Sequence, residues 1–81
     1  MSEQPTTTRI HAIQRVMACA APSGWRDGLV VSTTDRVVEI ATLAGTVELV
    51  VTDAPVAVGD PVAWHAVAEV LARGTEWYPA R

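Results

Sequence analysis

Three runs in the middle of the chain carry the clearest pattern. They are Leu29-Val30-Val31-Ser32-Thr33, the stretch from Arg36 to Thr42, and the stretch from Thr46 to Thr52. Glu39 stands between Val38 and Ile40 in the second run, and Glu48 between Val47 and Leu49 in the third. Period-two alternation among Val, Ile and Thr predicts strands with one solvated face. Thr34-Asp35 and Leu43-Ala44-Gly45 separate the runs with turn-forming residues, so a three-stranded antiparallel meander is expected.

The segments on either side are ambiguous. Between Arg9 and Ala21, the residues Ile10, Ile13, Val16, Met17 and Ala20 recur at spacings of three and four, with His11, Gln14 and Arg15 opposite. Those positions suit an amphipathic helix capped by Thr8, although the β-branched residues among the alanines also allow a strand. Pro22, Gly24 and Gly28 end the element. Further on, Asp60-Pro61 can open a helix on which His65, Glu69 and Arg73 share a face, with Gly74 after its end. Alternatively, Val58-Gly59-Asp60-Pro61 is a tight turn delivering Val62 to His65 as a strand, followed by a short helix near 67–73. A Val-rich meander needs more strands or a cover to close its apolar face, which favours the second reading.

The expected fold is therefore mostly β, a small partly open barrel of the OB- or SH3-like meander kind with a possible short helix at either end. The alternative is an α+β fold, with helices 9–21 and 61–73 packed on a three-stranded antiparallel sheet. Residues 1–8 have no apolar side chain after Met1, which predicts a disordered tail before a single domain over 9–81.

Composition narrows the function classes. Of 81 residues, 49% are hydrophobic and the mean hydropathy is +0.23, but 13 are Ala, 13 are Val and none is Phe. A core of such small side chains is marginal at this size, so a homodimer or a complex with another protein is expected. All six basic residues are Arg and nine residues are acidic, giving a net charge of −3. That balance argues against nucleic acid as a partner. The uncharged run from Val16 to Trp25 is ten residues, too short for a membrane span. One cysteine and no basic-then-apolar leader give a cytoplasmic expectation.

Candidate chemistry is sparse. Cys19 with His11 or His65 and a carboxylate is the one nucleophilic set, but the cysteine sits in Met17-Ala18-Cys19-Ala20-Ala21, company typical of a small buried hydrophobe. The same groups lack the paired spacing of a zinc site. The glycines at 24, 28, 45, 59 and 74 form no phosphate-binding loop, so no cofactor is expected. Trp25, Trp64, Trp77 and Tyr78 could stack bases, but packing is the simpler use for them in an acidic chain.

From Pro22 onward the order of features resembles the small hydrogenase-assembly chaperones of the HypC/HupF type. Met17-Ala18-Cys19-Ala20-Ala21-Pro22-Ser23 stands at the family's Met-Cys-x-Ala-x-Pro-Gly motif, and Ala44-Gly45 at its glycine-containing turn. Val58-Gly59-Asp60-Pro61-Val62-Ala63-Trp64-His65 stands at its Val-Gly-Asp-x-Val-x-Val-His motif. The resemblance covers residues 17–73. Its departure is at the first motif, where Ala18 follows the Met and the cysteine is displaced by one. It implies a mostly β-barrel fold and a non-catalytic, partner-binding habit. The expected function is thus a non-enzymatic interaction or accessory protein, chaperone-like, with Cys19, Trp25, Trp64 and His65 as candidate partner-binding residues. A small-ligand or single-stranded nucleic-acid-binding barrel is the alternative, ahead of a small enzyme.

Overall fold

The structure, a computed structural model, describes residues 10–81. The expected tail over 1–8 and the Thr8 cap lie outside the described residues. One helix, α1 (Ala12–Ala20), and a 3₁₀ turn (Pro22–Gly24) precede six strands. These are β1 (Trp25–Thr34), β2 (Val37–Thr42), β3 (Val47–Val51), β4 (Pro61–His65), β5 (Val70–Arg73) and β6 (Glu76–Pro79). They form one antiparallel sheet in the order β3-β2-β1-β4-β5-β6. Two three-stranded meanders thus share the β1/β4 seam. The edge strands approach each other at one end, where Thr52 bridges Ala80 and Val51 and Arg81 exchange backbone hydrogen bonds of 2.6 and 2.9 Å. Beyond that bridge the sheet is open.

The expected meander is present as β1, β2 and β3, with Asp35 (φ 51°) and Gly45 (φ 90°) in its two turns. β1 starts earlier than its apolar run, at Trp25, and Gly28 lies inside it rather than ending the element before it. A Cβ on Gly28 would stand 2.5 Å from the Ala41 carbonyl oxygen, so glycine permits the close β1/β2 approach. Val31 forms a bulge, after which Ser32 pairs with Glu39 and its hydroxyl donates to the Glu39 carboxylate at 2.8 Å.

The segment 61–73 is not a helix, and the short helix expected near 67–73 is absent as well. Pro61–His65 is strand, and the chain turns through Ala66 to Glu69 before Val70–Arg73 returns beside it. Glu69 has φ 58°, a left-handed conformation that interrupts any helix there. β5 is then paired on both sides, by β4 and β6. Asp60 anchors the preceding turn by accepting from Ala57 N–H at 2.9 Å and from Arg73 Nε at 3.1 Å. The Ala57 N–H and then the Arg73 guanidinium hold its carboxyl below the ordinary carboxylate value.

The main core lies on the inner face of the curled sheet and comprises Val30, Val38, Ile40, Val50, Val62, Trp64, Leu71 and Ala80. Ala54 and Val56, in the connection that carries the chain from β3 across to β4, pack against it. Trp64 is the one large ring among these small aliphatic groups. A second cluster of Ala18, Ala68 and Val70, with Ile10, Trp25 and Trp77 beside it, lies beneath α1.

Candidate functional site

The region beneath α1 is organised by His65. Its ring is fully buried, and both nitrogens are engaged by backbone. Ala68 N–H donates to Nδ1 at 3.2 Å, which leaves Nε2 to donate to the Ala21 carbonyl at 2.8 Å. The side chain therefore ties the end of α1 to the β4/β5 turn. Gly24 makes room for it, since a Cβ there would lie 2.6 Å from Nε2. Trp25 meets the imidazole edge to face at a centroid distance of 5.2 Å, and Trp77 meets Trp25 at the same distance. The Arg15 guanidinium lies 4.6 Å above the Trp77 ring.

α1 docks through an unexpected face. Gln14 donates from Nε2 to the carbonyls of Ala68 and Glu69 at 3.2 and 2.9 Å, while its Oε1 accepts from the His11 N–H at 2.9 Å. Ala18 is the one residue of the helix that is wholly buried. An amphipathic helix ordinarily turns its apolar stripe to the core. Here Ile13 is 62% exposed and Val16 60%, with Met17 and Ala20 also in solvent. The carbonyls at the β4/β5 turn need donors, and only a small residue allows the helix to approach Trp25 and Val70 closely. Gln14 and Ala18 meet both needs, so the larger apolar groups are left outside.

Among the described residues nothing covers the sheet surface beyond α1. Asp27, Leu29, Pro61, Ala63 and Ala72 line a shallow trough of about 530 Å³ between β1, β4 and β5, with Leu43 at its rim. Leu43 is 82% exposed, and on β3 Val47 and Leu49 are 59% and 68% exposed.

Of the four candidate partner-binding residues, Cys19 alone is exposed, on α1 beside the apolar stripe. The expectation that it is a small buried hydrophobe is overturned, because the helix docks through Ala18 and turns its neighbour outward. Trp64 belongs to the inner core, His65 is enclosed, and Trp25 is half-buried between His65 and Trp77. The four aromatic residues do not form one platform. Trp64 and Tyr78 are buried, Trp64 in the inner core, whereas Trp25 and Trp77 pack under α1. Among the described residues no group of three or more His, Cys, Asp or Glu is placed to hold a metal ion. No described helix is long and apolar enough to cross a membrane. Gln14, Ala18 and Gly24 were not legible as site residues, since nothing in their spacing marks them.

Exposure of Cys19 has a direct consequence. At low protein concentration it should react with a thiol reagent without denaturant, within about tenfold of the rate of an unstructured cysteine peptide. Protection of a hundredfold or more would place it inside the fold.

Comparison with protein families, with curated proteins and with solved structures finds no match to this chain.

Proposed function

We propose that this chain is a non-enzymatic protein-interaction module, a small partly open barrel whose binding surface is the outward stripe of α1 and the bare sheet face next to it. The observation that carries this reading is the exposure of Ile13, Val16 and Met17 on a helix held in place by Gln14 and Ala18. Exposed apolar side chains at helical spacing on a fixed element suit a protein partner, because burying them there adds stability without reordering the chain. A catalytic reading has less support. His65 has no free ring nitrogen, and Cys19 faces solvent while His65 is enclosed. Cys19 stands beside the stripe, a place consistent with the non-catalytic, partner-binding habit that the HypC/HupF resemblance implies.

A photo-crosslinking amino acid at Val16 tests the reading, with one at exposed Thr33 as the control. Adducts to protein should form at Val16 in cells and be lost when Met17 is also changed to Glu. Equal labelling at both positions would remove the stripe from consideration.

A further inference from the structure

We infer that the occupant of this surface is a second copy of the chain, whose α1 stripe of Ile13, Val16, Met17 and Ala20 packs into the trough formed by Leu29, Leu43, Pro61, Ala63 and Ala72. The inference rests on the interaction-module reading and names its partner. Three features point to a copy of the same chain.

The first is shape. The trough is floored by Ala63 and Ala72 and walled by Leu29 and Leu43, so its centre is low and its rim high. The stripe offers the reverse, with large side chains projecting from a helix. Within one chain the two stay apart, because Gln14 and Ala18 fix α1 over Trp25, Val70 and Trp77 on the neighbouring part of the same face. The second copy's helix would cover the remaining part, completing a layer that α1 begins.

The second is charge. α1 carries one cation, Arg15, and no acid, whereas the trough carries one acid, Asp27, and no cation. Arg15 lies on the other side of α1 from the stripe, over the chain's own Trp77, so the uncharged stripe and the trough meet without like charges opposed.

The third is area. With Ile13, Val16, Leu29 and Leu43 between 49% and 82% exposed, each protomer offers on the order of 700 Å² from stripe and trough together. A two-fold dimer uses both surfaces of both copies, which reaches the roughly 1,200–2,000 Å² of a stable interface. The stripe alone, on a helix of nine residues, would fall well short.

Sedimentation equilibrium and light scattering on the purified chain test this directly. The wild type should give twice 8.6 kDa at micromolar concentration. Val16→Asp and Leu29→Lys should each weaken dimerisation at least about 100-fold, since each places a charge at the centre of the contact. Both sites are exposed, so circular dichroism should be unchanged. An equimolar mixture of the two variants should restore the dimer, because the carboxylate introduced on the stripe of one then faces the ammonium introduced in the trough of the other, while the second contact stays wild-type. A wild-type monomer at 100 μM, a dimer indifferent to both substitutions, or failure of the mixture would overturn the proposal. A monomer that still forms Val16 adducts with another protein would overturn the dimer while leaving the interaction-module reading in place.

Discussion

Trp64→Ala should leave this protein unfolded at 25 °C. Trp64 is 5% exposed and is the one ring in an inner-face cluster otherwise made of Val, Ile, Leu and Ala. Truncating a buried Trp costs about 3–5 kcal/mol, through lost burial and the cavity left behind. A core in a chain of this length supplies only about 3–5 kcal/mol of net stability. The loss is therefore comparable to the whole. Val30, Ile40 and Leu71 cannot close over the vacancy, since each is already fully packed on the inner face and held by strand pairing. Far-UV circular dichroism and the cooperativity of the thermal transition would measure it. Trp77→Ala is the comparison. That ring is only partly buried beneath α1, so its variant should keep a cooperative transition. A native-like Trp64→Ala melt would mean that the inner face is not the principal core.

His65→Ala should have the second largest effect, and a different spatial distribution. Removing the imidazole strips Ala68 N–H of its partner, at about 1–3 kcal/mol for a buried group left unsatisfied, and leaves the Ala21 carbonyl with the Gly24 N–H alone. It also opens a hole beneath Trp25. Detachment of α1 would hydrate both groups, so the penalty is capped at the free energy of undocking the helix. Apart from Trp25 at its start, the β1–β2–β3 ladder touches none of these atoms. Amide exchange should therefore show protection lost from Arg15 to Ala21 and at Ala68, with protection kept at Val30, Val38, Ile40 and Val50. Gly24→Ala should produce a milder form of the same pattern, because its Cβ would press on the ring without removing it. Uniform loss of protection across the sheet in His65→Ala would show that the histidine supports the whole core and not the helix attachment.

What the sequence by itself determined is the central meander. In β2 and β3 the side-chain period of two, the β-branched residues and the turn residues Asp35 and Gly45 all act within a few positions of one another, so local physics suffices. The turn before β4 is of the same kind, with Gly59 at φ 94° and Asp60 accepting from the Ala57 N–H. α1 was legible only as one of two readings, since spacings of three and four suit a helix while the β-branched residues among the alanines also allow a strand.

Only the tertiary structure decided which side of α1 would dock. Periodicity locates the apolar side of a helix, but the Ala68 and Glu69 carbonyls needed donors and the Trp25 ring needed a small neighbour. Those demands come largely from strands and turns some fifty residues away in the chain, and they selected Gln14 and Ala18. The segment after His65 was settled in the same way. Both readings of the sequence put helix near 67–73, and pairing with β4 and β6 and the Nδ1 atom that accepts the Ala68 N–H made it turn and strand instead. Hydrogen bonds and close approaches between distant segments leave no trace in a short window of sequence, which is why the sheet's second half and the outward stripe of α1 emerged only from the fold.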